Sequence, residues 1–267
     1  MTNMAIIGAA GRMGQALVRC APRFKELQLV AAVDRSDCPL LGRDSGTVAG
    51  TAETGVPMTA DLAAAVRAAG VLVDFSFHAV VPATAQAAAA AGKALVLGTT
   101  GLTPAEEGTV RAAAQTIPIV WAPNMSLGVN LLFLLVKQAA AVLGLDYDVE
   151  IVETHHRFKK DAPSGTALRL AERVAEGRGQ SFEDVACCYG RHGMSGERPK
   201  GQIAIHALRM GDVVGDHTVS FGVEGERVEL THKASSRDAL AMGALRAAQW
   251  VAGRKPGLYD MGDILGL

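Results

Sequence analysis

From Glu153 to Thr166 the chain reads Glu-Thr-His-His-Arg-Phe-Lys-Lys-Asp-Ala-Pro-Ser-Gly-Thr, a concentration of cations and proton donors ahead of a helical run over 167–175. His155 and Lys159 are four residues apart, a spacing that shares one face in either a helix or a strand, so both could converge on one substrate. Imidazole suits proton transfer near neutral pH, and an ammonium is a second proton source. Ser164-Gly165-Thr166 would offer backbone N–H groups and the positive end of a helix to a carboxylate, with His156 beside it. An anionic substrate is implied. The same residues also read as a charged, solvated loop in which Pro163 and Ser164 only start a helix; adjacent histidines leading into the turn favour chemistry. A His-His pair raises metal binding too, but no HExxH pattern or suitably spaced carboxylate accompanies it, and no metal is expected. His78 reads as a loop histidine, and His192, His206, His217 and His232 lie in loops or alternating segments where packing or surface roles are the default.

A second constellation lies at the start. Gly8-Ala9-Ala10-Gly11-Arg12-Met13-Gly14 follows one apolar β-like run and opens a helix, and Asp34 ends the next such run, 20 residues beyond Gly14. A strand feeding a tight glycine turn aims N–H groups at a pyrophosphate, and the later acid can accept a ribose hydroxyl. In that context the motif points to a dinucleotide, although GxxGxxG is one residue longer before its second glycine than the usual GxGxxG. The Asp34 carboxylate favours NADH; Arg35 beside it admits two readings, a solvated cation or a partner for the 2′-phosphate of NADPH, with Arg12 as a helper. Gly98-Thr99-Thr100 and Pro123-Asn124-Met125-Ser126 each follow a β-like run, at the edge where such sheets bind ligands, and could face the nicotinamide or be ordinary turns.

These groups need a frame. Strand-like runs at 4–7, 27–33, 71–75, 94–97 and 117–121 alternate with helical runs at 12–20, 62–69 and 83–91, the pattern of a parallel sheet with crossover helices. Thr103-Pro104-Ala105-Glu106 has the form of a capping box with Pro at the first helical position. The segment 34–59 lacks periodicity and reads as a long surface connection. After about Ser126 a helical run to Leu143 leads into alternating stretches at 148–154, 202–209, 217–221 and 227–233, which suggest a second, open sheet. The segment 177–201 reads as loop, and a last helix at 238–251 would be capped by Ser235 or Ser236. The expected class is α/β: a Rossmann-like doubly wound parallel sheet plus an α+β domain with an open mixed sheet.

Composition narrows the partners. Formal net charge is −1 and aromatic residues are 4% of the chain, without a long basic run, which argues against nucleic acid and for a small molecule. The strongly apolar run 131–136 stops at Lys137, too short to span a bilayer, and the first residues lack a signal-peptide pattern. Cys20, Cys38, Cys187 and Cys188 show no CxxC spacing, so a reduced, cytoplasmic chain is expected.

The segments GAAGRMG, DFSFH, GTTGL, NMSLGVN, ETHHRFKKDAPSGTA, HTVSF, RVELTHKASSRD and GLYDMGDILGL together resemble the 4-hydroxy-tetrahydrodipicolinate (dihydrodipicolinate) reductase family from end to end. The resemblance implies an oxidoreductase of diaminopimelate and lysine biosynthesis that uses NADH or NADPH to reduce a cyclic imine dicarboxylate, acting on a CH–CH group. It implies His155 as proton donor and acceptor, Lys159 as proton donor, and His156, Gly165 and Thr166 on a substrate carboxylate. Gly8 to Met13, Asp34, Arg35, Gly98 to Thr100 and Pro123 to Ser126 would hold the cofactor. It further implies a dinucleotide domain of 1–126 with 237–267, a substrate and oligomerisation domain of 127–236, hinges near Ser126 and Ser236, and a homotetramer. Phe158 and Asp34 depart from residues common among relatives, which touches cofactor preference and substrate affinity, not the catalytic pair. The alternatives are another two-domain NAD(P) dehydrogenase or a non-catalytic NAD(P)-sensing regulator.

Overall fold

The structure, a computed structural model, describes residues 1–266. The chain divides into two compact units, Met1–Leu127 with Arg237–Leu267, and Gly128–Ser236.

In the first unit the order is β1 (Thr2–Ile7), α1 (Arg12–Cys20), β2 (Leu27–Val33), α2 (Ser45–Val48), β3 (Met58–Thr59), α3 (Leu62–Ala68), β4 (Val71–Asp74), α4 (Val81–Ala90), β5 (Ala94–Leu97), α5 (Pro104–Ala113) and β6 (Pro118–Trp121). The second unit holds most of α6 (Leu127–Leu143), then β7 (Asp148–His155), α7 (Gly165–Gly177), β8 (Cys187–Cys188), β9 (Ile203–Arg209), β10 (Gly215–Val223) and β11 (Glu226–Ala234). The chain then returns to the first unit as α8 (Asp238–Val251), β12 (Gly257–Tyr259) and α9 (Met261–Leu265).

The first sheet runs β12-β6-β5-β4-β1-β2-β3 with every pair parallel. Helices cover both faces, so its strands are apolar on both sides: Met4 and Ile6 pack with Leu17, Leu245 and Ala248, while Ala5 and Ile7 pack with Val81, Ala85 and Val110. From β1 the chain moves outward to β2 and β3, then crosses back to β4, so the strand order reverses between β1 and β4. Their carboxyl ends form a switch point, the place where such sheets take ligands. This is the Rossmann-like sheet expected from the alternating runs.

The second sheet, β11-β10-β7-β9-β8, is mixed: β7, β8 and β9 run parallel, and β10 is antiparallel to β7 and β11. One face packs Val149, Ile151, Ile205, Val219 and Phe221 against Phe133, Val136, Leu170 and Val174 of α6 and α7. The alternate positions, Val152, Leu208 and Thr218 among them, form the opposite face, where Leu208 is exposed.

Three local expectations need correction. The segment 177–201 is not all loop, because a 3-10 turn at Phe182–Asp184 and β8 lie within it; a two-residue strand carries no readable period. Arg198 and Arg191 tie the rest to Glu150 and Asp148 of β7. The connection 34–59 contains α2, whose N-cap Asp44 accepts from Gly46, Thr47, Thr54 and Gly55 N–H groups, drawing the segment into a closed turn. The N-cap of α8 is Arg237, with no side-chain capping bond, and Asp238 supplies the acid of the first turn instead of a serine cap.

Candidate active site

At the switch point, Gly8 has φ +79° and a Cβ there would stand 2.7 Å from the Phe75 carbonyl oxygen, so only glycine serves. A Cβ on Gly14 would come 2.2 Å from the Gly8 oxygen, and bare backbone lets α1 close onto the turn. Gly11 differs. Its backbone is ordinary and extended, and the nearest atom a Cβ would meet, the Gly8 oxygen, is 3.2 Å away. That contact is tight but far milder than the overlap at Gly14, and Gly11 is the N-cap of α1 and lines an open cleft of about 830 Å³. That cleft, with Gly8, Ala10, Asp34, Arg35 and Phe75 also on its wall, fits a dinucleotide whose phosphates need close access to the helix end.

Asp34 already does structural work there: Oδ2 accepts from Ala10 N at 2.8 Å and Oδ1 from Arg35 N at 2.9 Å, so the acid braces the turn it faces. Arg35 is exposed on the cleft wall, with an exposed ion pair to Asp37 at 3.0 Å. Arg12 is exposed at the start of α1; Ala9 is buried and Met13 packs against the core.

The other turns expected near the cofactor are built differently from one another. Gly98 makes room for the Phe75 ring, 2.2 Å from where a Cβ would sit. Thr99 turns inward, its hydroxyl 3.3 Å from both Asp74 Oδ1 and the Ser76 carbonyl oxygen, whereas Thr100 is exposed. Asp74 is fully buried at the end of β4 and accepts from Ser76 N at 2.8 Å and Ser76 Oγ at 2.6 Å; its Oδ2 has no hydrogen-bond partner among the described residues. Burial raises the Asp74 carboxyl, against the lowering effect of Ser76, Thr84 and Thr99. Pro123 is exposed, Met125 is core, and Asn124 Oδ1 accepts from Ser126 N at 2.9 Å. His78, expected in a loop, instead starts a 3-10 turn (His78–Val80) and bonds Glu106 through Nδ1 at 3.0 Å, and Glu106 closes the expected capping box with Thr103.

In the second unit β7 ends at His155, and His156 to Ser164 form turns leading to α7. Lys159 is in neither strand nor helix, so periodicity does not explain its placement; the turn carries it, with His156 O accepting from Lys159 N. Its Nζ donates to Asp161 Oδ2 at 2.7 Å. Arg157 is exposed, 5.9 Å from the Phe158 ring. His156 is half-buried, with Nδ1 lacking a hydrogen-bond partner among the described residues. Ser164 is the N-cap of α7, accepting from Ala167 N at 3.2 Å, so Gly165 and Thr166 provide the first N–H groups of the helix.

His155 Nδ1 lies 2.6 Å from Oε2 of Glu153, a carboxylate with no solvent exposure. The same carboxylate accepts from Arg209 at 2.8 and 3.0 Å and from Ser164 N at 3.0 Å. Burial alone would raise the Glu153 carboxyl, but the bonds from Arg209 and His155 outweigh it and hold it below the ordinary range. His217, buried on β10, is 5.2 Å from the His155 ring centroid and hydrogen-bonded to Ser164 Oγ at 3.2 Å. Burial, then the neighbouring His155, His232 and Lys159, push its pKa down to about 3 despite Glu153, so the ring stays neutral.

An oriented imidazole, a lysine and a helix N-terminus are parts for binding an anion and delivering a proton. Residues 2–125 match the family described as Dihydrodipicolinate reductase, N-terminus, and residues 128–265 match Dihydrodipicolinate reductase, C-terminus. The chain belongs to the dihydrodipicolinate reductase family. It is 54% identical over 267 residues to the 4-hydroxy-tetrahydrodipicolinate reductase of Anaeromyxobacter dehalogenans, covering 100% of this chain and 98% of that one. It is 50% identical to the enzyme of the same name from Alkalilimnicola ehrlichii, over 100% and 99% of the two chains. Among solved structures it is similar to the dipicolinate-bound dihydrodipicolinate reductase of Paenisporosarcina sp. TG-14, with TM-score 0.77, 27% identity and 97% of each chain covered.

Within this family member, sequence reasoning passed over three residues of the histidine cluster. Glu153 and His155 are two apart on one strand and so share a face, a signal that was present. Arg209 lies opposite His155 in the β7–β9 register and His217 opposite Glu153 in the β7–β10 register; neither is visible before strand pairing is known.

Proposed function

We propose that this chain is a 4-hydroxy-tetrahydrodipicolinate reductase that uses NADH or NADPH to reduce the dehydrated, cyclic imine form of its substrate to tetrahydrodipicolinate, in diaminopimelate and lysine biosynthesis. The observation that carries the reading is His155, held by a buried carboxylate in a strand end whose next helix, α7, opens with Ser164, Gly165 and Thr166. When bound, the reduced nicotinamide supplies hydride. The first unit holds it: Gly8 to Met13 take the pyrophosphate at the α1 N-terminus, Asp34 and Arg35 the adenosine ribose, and Gly98 to Thr100 with Pro123 to Ser126 the nicotinamide end. From Thr99 and Met125, whose side chains are engaged internally, the contact is through backbone.

The second unit supplies binding and protons. Gly165 and Thr166 N–H groups, with His156, take a carboxylate, and Lys159 adds positive charge. The electron pair displaced by reduction of a conjugated imine must be protonated; His155 delivers that proton and Lys159 is the second donor. Dipicolinate, bound in the solved relative, is a cyclic dicarboxylate, which supports a substrate of that shape and charge. The four free cysteines support work in the reducing cytoplasm, and a net charge of −1 supports a small molecule over nucleic acid. No helix among the described residues is long and apolar enough to cross a membrane. The open sheet face bearing Leu208, 49% exposed, supports assembly of a homotetramer through that face.

The test is loss of reduced-nicotinamide absorbance with each cofactor, with substrate made in situ from aspartate semialdehyde and pyruvate. Oxidation by wild type, and turnover lowered at least about a hundredfold in His155→Gln, is the expected result. Dinucleotide binding without oxidation overturns the reaction. Light scattering reads the assembly, and a monomer mass would remove the tetramer.

A further inference from the structure

Glu153 is an acid with no solvent exposure, and its hydrogen bonds run to three different parts of the second unit. His155 extends from the same strand, two residues on, so both side chains leave one face of β7. Arg209 comes from the parallel neighbour β9, where its register partner is His155. Ser164 N comes from the turn that starts α7, 3.0 Å from Oε1. Arg209 also donates to the Asp161 carbonyl oxygen at 2.6 Å, so the guanidinium that neutralises Glu153 grips the same turn a second time.

The bond to His155 is the shortest of the set at 2.6 Å, and it engages Nδ1. A carboxylate in the ionised state only accepts, so the ring atom facing it must carry the proton. That leaves Nε2 as the nitrogen directed elsewhere. Beside it is Gly215 of β10, where a Cβ would stand 3.0 Å from Nε2, so glycine at that position leaves room for the Nε2 edge of the ring.

We propose that Glu153 is a positioning residue: its carboxylate keeps a proton on Nδ1 of His155, so that Nε2 is the atom that takes a proton from solvent and, from the resulting imidazolium, gives it to the substrate, and it fixes that ring relative to the first turn of α7. This rests on the reading of His155 as the proton donor. One buried anion thereby couples the proton-delivering ring to the turn assigned to the substrate carboxylate.

The test reads the ring directly, by ¹⁵N-edited NMR of the full-length protein without substrate or cofactor, at a pH where the His155 ring is neutral, with His155→Gln used to assign the signal. Wild type should show the Nδ1–H tautomer, and Glu153→Gln a mixture. In kinetics, Glu153→Gln should lower kcat at least about tenfold while KM stays within about threefold, and Glu153→Asp should regain part of the loss. An Nε2–H ring in wild type overturns the proposal, as does Glu153→Gln with unchanged tautomer and kcat. Should Glu153→Gln fail to fold, the wild-type spectrum decides. Failure of the reaction itself would appear as a wild type that does not oxidise NADH or NADPH, and would leave the tautomer result standing.

Discussion

Ser164 Oγ lies 3.2 Å from Nε2 of His217, so the residue that caps α7 is fastened to a histidine buried on β10. Its pKa is pushed down to about 3, well below the ordinary 6.5, because burial and the neighbouring His155, His232 and Lys159 oppose its protonation and outweigh Glu153. Below pH 6.5 the unfolded chain gains a proton there that the folded chain does not, so the contribution to stability is full above 6.5 and is lost as pH falls toward 3. The loss between pH 7 and pH 5 is about 2 kcal/mol for one such group. Denaturant unfolding of wild type and His217→Gln at both pH values measures it: the variant should lose less stability on acidification, and parallel losses would refute the assignment.

Gly11 and Gly14 separate binding from folding. Gly14→Ala drives a methyl to 2.2 Å from the Gly8 carbonyl oxygen, which nothing flexible can relieve, and should destabilise the protein by about 1–3 kcal/mol. Gly11→Ala meets only an oxygen at 3.2 Å and should cost less than about 1 kcal/mol, the penalty of a poor N-cap. It should nevertheless weaken NADH at least about tenfold, because the methyl stands where phosphate must approach the α1 N–H groups. Thermal melts and NADH titration by fluorescence decide; unaltered NADH affinity in Gly11→Ala would remove the turn from the binding site.

How far this could be read from sequence depended on how local the physics was. Thr103 and Glu106 satisfy each other's orphan backbone groups within one turn, and the capping box appears where their spacing placed it. The glycine turn was legible for the same reason, since Gly8 answers to backbone angles and Gly14 to the contact between strand and helix. Asp34 was legible as an acid facing the turn, although not as a brace bonded to Ala10. The histidine cluster is different. His155 and Lys159 stood out by type, but Arg209 and His217 reach Glu153 only through two strand registers, one parallel and one antiparallel. Strands of two or three residues, such as β3, β8 and β12, are too short for any period to show and exist because a neighbouring strand pairs with them.

Arg35 lies on the cleft wall with its guanidinium in an exposed pair with Asp37, an interaction worth little in water. It can therefore exchange that partner for a 2′-phosphate at small cost. Arg35→Ala should weaken NADPH by about tenfold, roughly 1.4 kcal/mol, and NADH by less than about twofold. Dissociation constants for both cofactors with wild type and variant check this, and equal losses would show that Arg35 does not read the phosphate.

Asp74 ties the loop after β4 to the loop after β5 through Ser76 and Thr99, and burial raises its carboxyl above the ordinary 3.8. Above pH 3.8 the unfolded chain loses this proton while the folded chain keeps it, so the contribution of Asp74 to stability is full at acidic pH and declines as pH rises through the raised folded value. An amide at this position has no proton to lose. Asp74→Asn carries a constant cost from changed hydrogen bonding to Ser76, but relative to wild type its stability should improve from pH 4 to pH 8. Denaturant unfolding of both proteins across that range gives the difference directly, and a flat or opposite trend would mean that Asp74 is ionised in the fold. The same carboxyl orients Thr99 inward, so loosening it should also weaken NADH, and the affinity of Asp74→Asn for NADH at fixed pH reads whether the clasp shapes the cofactor loops.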